Sequence, residues 1–379
     1  MGPLHGLRII EIEGLGPAPF AGMMFADMGA EVISVTRKSA AEGSAAINSI
    51  SERGKKSIAL NLKDPRAVEA LLKLCETADA LIEGFRPGVA ERLGIGPDDC
   101  MARNPKLVYG RMTGWGQTGP LSQAAGHDIN YISLSGALHG IGRAGDKPVP
   151  PLNLVGDFGG GGMFLAFGVV SAMLEAGRSG KGQVVDVSMV EGSAALMHMM
   201  YSNLNLGAFN WQDERGVNLL DTGAHFYEVY ETQDGKYLSV GPIEPQFYQL
   251  LKELMGLDEA VFGNQYDPER WPQLKDELQA LFKTKTREAW CELLEGTDAC
   301  VAPVLSMTEA PKHPHNVARN SFVEVGGHIQ PAPAPKFSRS EAATPTPAPR
   351  QGEHTHALLS ELGYDADSLA ALRAEGVLS

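Results

Sequence analysis

An imidazole and a carboxylate, thirty residues apart, are the first groups in this chain whose types and setting point to chemistry. His127 lies in the string Ala125-Gly126-His127-Asp128-Ile129-Asn130-Tyr131, and Asp157 follows Asn153-Leu154-Val155-Gly156, with glycines at 159–162 close behind. An imidazole titrates near neutrality, so His127 suits a proton that must be removed and returned near pH 7. A carboxylate on the opposite face of the same carbon would complete a two-base device. Glu244, in Val240-Gly241-Pro242-Ile243-Glu244-Pro245, offers a second carboxylate that could orient the imidazole and stabilise its charged form. Each also has an ordinary structural reading: His127 as a packed or capping histidine, Asp157 as the N-cap of a helix over Gly159–Val170, and Glu244 as an acid favouring the helix start at Pro245. The glycine run counts for function. Glycine costs up to about 1 kcal/mol against alanine inside a helix, so four together suggest close approach of a ligand, with helix-start amides aimed at a developing oxyanion.

Composition narrows the partners. A formal net charge of -14 excludes general nucleic-acid binding, because nothing would neutralise a phosphate backbone. A few local Arg and Lys can still hold a small phosphorylated ligand. Cys75, Cys100, Cys291 and Cys300 form no CxxC pair, so neither a disulfide framework nor a zinc site is expected, no metal is called for, and a cytoplasmic location fits. The N-terminal residues do not read as a signal peptide, so no secretory leader is expected, and no uninterrupted apolar run reads as long enough for membrane insertion.

The elements that must position these groups follow from periodicity. Leu7–Ile12, Ala30–Val35, Ser57–Leu62, Ala78–Glu83 and Leu107–Arg111 read as strands, and Gly182–Ser188 as another. A helix near Pro65–Thr77 carries Asp64 as N-cap and Pro65 at its first position. This strand–helix rhythm predicts an α/β fold with a parallel sheet. Gly14-Leu15-Gly16-Pro17-Ala18-Pro19 mimics a dinucleotide fingerprint, but Pro19 occupies the third glycine position. Thr36-Arg37-Lys38 then replaces the acidic residue that would hold a ribose, so a nicotinamide cofactor is not expected. Basic residues at strand ends suit a ligand with a ribose phosphate instead: Arg37, then Arg53 with Lys55 and Lys56, then Lys63, Arg86 and Arg92. A Met-rich helix is expected over Val190–Tyr201, offering an adaptable apolar surface. A smaller α+β domain follows at 225–320, with a hairpin turn at Asp234-Gly235 and amphipathic helices near Pro245–Met255 and Trp271–Leu294. The large domain spans 1–190 and is completed by 351–379; 191–224 and the Pro/Ala-rich 321–350 read as linkers.

The strings around His127, Asp157 and Glu244, and the tail Gly352–Tyr364, resemble the α-methylacyl-CoA racemases of the class III CoA-transferase family over nearly the whole chain. The resemblance implies a Rossmann-like large domain, a small α+β domain and an interlocked homodimer. It implies epimerisation of 2-methylacyl-CoA thioesters by 1,1-proton transfer, with His127 serving the S and Asp157 the R epimer, and Glu244 reaching in from a partner subunit. No resident cofactor is implied, since the thioester delocalises the carbanion. The CoA handle falls to Arg37, Lys63, Arg86 and Arg92, with backbone of Leu60, Asn61, Leu62, Gly84 and Phe85; Asn61 stands where relatives often carry Asp. Gly126, Asp128, Ile129, Asn130 and Tyr131 are implied as substrate contacts. The competing reading on the same fold is a CoA-transferase in which Asp157 is a nucleophile on the thioester carbonyl.

Overall fold

The apolar runs close into one sheet in the computed structural model, which describes residues 2–37, 50–342 and 344–378. Strands β1 (Arg8–Ile12), β2 (Glu31–Thr36), β3 (Lys56–Ala59), β4 (Ala80–Glu83), β5 (Val108–Thr113) and β6 (Val184–Ser188) pair in parallel in the order β3-β2-β1-β4-β5-β6. Both faces are covered, which is why the central strands read as continuous apolar runs rather than alternating ones. On one face, Ile10, Ile33, Ile58 and Leu81 pack with helices α2 (Pro65–Cys75), α3 (Val89–Leu93) and α4 (Pro97–Arg103). On the other, Ile9, Val32, Ile82 and Val108 meet α1 (Pro17–Asp27), α5 (Asp128–Leu134), α7 (Met163–Ser179) and α8 (Met189–Leu196). Asp64 caps α2 as expected, accepting the Arg66 N–H at 2.9 Å, with Pro65 next to it.

The chain separates into two compact units. The first comprises 1–135, 152–196 and 319–379, and the second 136–151 and 197–318. The C-terminal helices α15 (Thr355–Glu361) and α16 (Ala366–Ala374) complete the first unit: Leu358, Leu359, Leu369, Val377 and Leu378 join the α2 face of its core. This shortens the third strand from its expected Leu62 end. Leu60 bridges Leu378, and the Asn61 N–H donates to Val377 O at 3.0 Å. The segment 321–350 includes a hairpin of β10 (Phe322–Val325) and β11 (His328–Pro331).

The second unit contains α6 (Ala137–Gly140), α9 (His198–Leu206), α10 (Pro245–Met255), α11 (Glu259–Phe262), α12 (Trp271–Phe282), α13 (Arg287–Leu294) and α14 (Pro314–Ala318). Its sheet joins β7 (Glu228–Glu231), β8 (Tyr237–Val240) and β9 (Val301–Val304), all antiparallel, over a core of Tyr230, Phe282 and Trp290. The Met-rich helix expected over 190–201 is two helices, α8 and α9, separated at Met197. The stretch Leu154–Ser179 is also longer and more apolar than the sequence reading allowed, enough to cross a membrane by length and composition. Its apolarity has a core use here: Leu165, Ala166 and Val169 are buried against the sheet.

Candidate active site

Strand order reverses between β1 and β4, and in open α/β sheets ligands bind beyond the carboxyl ends of the strands at such a switch point. The loop after β1 enters α1, and the loop after β4 runs through Gly84–Pro87. Together with Thr113–Trp115 after β5 and the segment leading to His127, they enclose a cavity of about 240 Å³, whose wall includes Leu15, Phe85, Arg86, Trp115, His127 and Tyr131. Gly84 and Gly126 also line it.

His127 is the N-cap of α5, with extended backbone and an exposed side chain; its N–H donates to Asn130 Oδ1 at 3.0 Å. Asn130 thus closes the helix start. Asp128, the first helical residue, is buried and turns away from the cavity, and its Oδ1 accepts the backbone N–H of Asp157 at 2.7 Å. Its Oδ2 is buried with no hydrogen-bond partner among the described residues. Burial raises the Asp128 pKa, the Asp157 N–H opposes that, and the Asp157 charge adds to it. Asp128 therefore holds the turn that carries Asp157, a role the sequence string did not disclose. The Asp157 side chain is half-buried; Asn153 Nδ2 donates to its Oδ2 at 3.0 Å. Gly16 lies alongside: a Cβ built there would sit 3.4 Å from the same oxygen. Gly16 has φ +74° and opens α1, where Pro17 and Pro19 carry no N–H, so Ala18 holds the only amide donor among the first three helical positions.

Tyr131 braces the histidine loop. Its hydroxyl donates to Gly126 O, and its ring meets Trp115 edge-on at 4.8 Å. Burial and then the Asp157 charge push its pKa up. A Cβ on Gly126 would come within 2.8 Å of both rings, so only glycine admits this packing. Ile129 is exposed and, like Asn130, lies off the cavity wall.

The glycine run corrects the sequence reading. The helix begins earlier than Gly159: Leu154–Gly162 forms a wide π-helical turn that continues into α7, so Asp157 sits within the first turn and not at its N-cap. The glycines face protein. A Cβ at Gly160 would lie 2.6 Å from the Ser193 amide nitrogen, one at Gly161 3.0 Å from Pro17, and one at Gly162 2.6 Å from the Phe20 ring. They let α8 and the first turn of α1 approach the turn bearing Asp157. The Asp157 amide is likewise taken by Asp128, not left to an oxyanion.

The basic residues divide into two groups. Arg53 forks onto buried Asp27 at 3.0 and 2.6 Å and also reaches Gln330 and Pro331. Lys55 is buried on Glu11 at 2.7 Å and also bonds Glu52 and Pro19 O, while Lys56 pairs with Glu31. These three cations hold the fold and are not a phosphate handle. Arg86, Arg92 and Lys63 are exposed. Arg37 is also exposed, 3.8 Å from Glu13, and Lys38 lies outside the described residues. Only Arg86 of this group lines the cavity; Arg37, Arg92 and the segment Leu60, Asn61, Leu62 and Lys63 do not. The Leu60 N–H is used by Thr36 O at 3.0 Å, and the Asn61 N–H by Val377, so neither amide is open to an adenine ring. Glu244, in the second unit, is the exposed N-cap of α10. It stands beside Tyr266 and Cys300, whose pKa values rise through burial first and the Glu244 charge second.

The chain is 45% identical over 377 residues to alpha-methylacyl-CoA racemase of Mus musculus, covering 99% of this chain and 97% of the relative. It is 42% identical to alpha-methylacyl-CoA racemase of Homo sapiens, with the same coverage. The crystal structure of Rv3272 from M. tuberculosis superposes with a TM-score of 0.77 at 28% identity, over 94% of this chain and 99% of that one. The pattern of CoA-transferase family III matches residues 4–355, and with full-length relatives at this identity the chain belongs to CoA-transferase family III.

Proposed function

We propose that the protein is an isomerase that interconverts (R)- and (S)-2-methylacyl-CoA thioesters by 1,1-proton transfer. The observation that carries the reading is the tie between the two bases: Asp128, adjacent to His127, holds the backbone of Asp157 at 2.7 Å. The likeness to racemases over nearly the full chain supports the substrate class. In this mechanism His127 or Asp157 takes the α-proton from one face, and the other, in its acid form, returns a proton to the opposite face of the enolate. The thioester delocalises the carbanion, so the reaction calls on no resident cofactor or metal. Arg86 and the Gly84–Phe85 loop hold the CoA portion next to the imidazole, with Arg37, Lys63 and Arg92 as further phosphate contacts.

The working form we propose is an interlocked homodimer in the cytoplasm. Met163, Phe167 and Leu174 make an apolar stripe along α7, with Phe167 74% exposed, which a second copy would cover. The dimer is also what would bring Glu244 to the imidazole. Four scattered cysteines with no CxxC pair suit a reducing compartment.

The test is incubation of one pure epimer of a 2-methylacyl-CoA in D2O, with a small carboxylate acceptor in a parallel tube. Deuterium at the α-carbon with epimerisation and no acceptor thioester is the expected result. Transfer of CoA to the acceptor with the stereocentre untouched would overturn it and make Asp157 a nucleophile.

A further inference from the structure

The β4–α3 loop lines the cavity through Gly84, Phe85, Arg86 and Pro87, yet Gly84 and Arg86 are exposed, and glycine at 84 and 88 gives the backbone freedom. Something must restrain it. Glu83, fully buried at the end of β4, accepts the Phe85 N–H at 2.5 Å through Oε2. Its Oε1 accepts Arg111 Nε–H from β5 at 3.0 Å. The same guanidinium reaches Glu91 of α3 at 2.7 and 3.3 Å. One arginine thus joins the start of the loop to the helix at its end, and Gln123 Nε2 donates to Pro87 O at 3.2 Å from the His127 side. Arg111 is paired with two carboxylates of the protein, whereas Arg86, on the cavity wall, and Arg92, on α3, are exposed.

We propose that Glu83, Arg111 and Glu91 form a lock that presets the Gly84–Pro87 loop for the CoA portion of the ligand, making Glu83 a positioning residue for affinity and not for proton transfer. The inference rests on the CoA-thioester reading of the cavity. Its logic is preorganisation: a loop already held in the bound shape does not lose its freedom on binding. Glu83 touches no reacting atom, and its effect passes through the Phe85 amide and α3. Glu83→Gln keeps the shape of the side chain but replaces one of its two acceptor oxygens by an NH2 donor, so one of the Phe85 and Arg111 bonds is lost.

Free coenzyme A is the probe, titrated calorimetrically against wild type, Glu83→Gln and Glu91→Gln, with kcat and KM measured on a 2-methylacyl-CoA. Glu83→Gln is expected to raise the CoA Kd and the substrate KM about tenfold, with kcat within about twofold of wild type. Glu91→Gln, on the half-exposed side of the lock, is expected to raise Kd about threefold. A structural lesion alone would lower kcat with the melting temperature and would not split KM from kcat. Should Glu83→Gln fail to fold, Glu91→Gln decides the matter. Wild-type Kd in Glu91→Gln, or in a folded Glu83→Gln, would overturn the lock. A wild-type protein that does not bind coenzyme A would instead overturn the functional reading, and the lock with it.

Discussion

The carboxylate of Asp128 accepts the backbone N–H of Asp157 at 2.7 Å, so the residue beside the His127 imidazole holds the helical turn that presents the Asp157 carboxylate. Its other oxygen is buried and has no partner among the described residues. Asp128→Ala leaves the Asp157 amide without its acceptor, and a buried donor left unsatisfied costs about 1–3 kcal/mol. The expected outcome is a lower urea midpoint together with slowed α-proton exchange, read by deuterium uptake in D2O. Asp157→Asn keeps that backbone contact and should lose exchange by at least about a hundredfold with little change in midpoint.

The glycines after Asp157 make a different prediction. Gly162→Ala would place a methyl group 2.6 Å from the Phe20 ring and 2.9 Å from Pro17 O. Overpacking of this kind costs about 1–3 kcal/mol and should displace the first turn of α1. Thermal unfolding should therefore fall along with turnover. If the glycine served ligand clearance alone, stability would hold while CoA-thioester binding dropped.

Arg53 and Arg86 should separate cleanly. Arg53 pairs with Asp27, both side chains almost wholly buried, and Arg53→Ala would leave an uncompensated buried carboxylate at a cost of about 3–5 kcal/mol. Its folded fraction should bind CoA normally. Arg86→Ala should do the reverse, raising the Kd for CoA about tenfold at unchanged stability, a loss typical of one charge-assisted contact. Equilibrium unfolding and calorimetry on both variants check this.

Glu11 sets a pH dependence. Burial raises its carboxyl to about 7, outweighing the pull of Lys55. The folded state thus binds this proton more tightly than the unfolded state, so the stabilisation it brings is complete below the unfolded pKa and is lost as pH rises through about 7. Unfolding free energy measured between pH 5 and pH 8 should fall with pH in wild type, and the Glu11→Gln variant should have a shallower slope. Equal slopes would refute the assignment.

The sequence by itself determined the parallel α/β layout, because apolar runs, Gly/Pro turns and the Asp64-Pro65 helix start are local signals that tertiary contacts here reinforce. It also singled out His127 and Asp157 as candidates, since residue type and a distinctive string are legible without geometry. What only the tertiary structure decided involves pairs far apart in the chain. Arg53, Lys55 and Lys56 look like a phosphate handle until Asp27, Glu11 and Glu31 come in from other elements and take up their charge. The third strand ends early because Leu378, at the other end of the chain, pairs with Leu60. The four glycines have the same cause: a local pattern shows that a side chain is missing, and only the neighbouring helices show what fills its place.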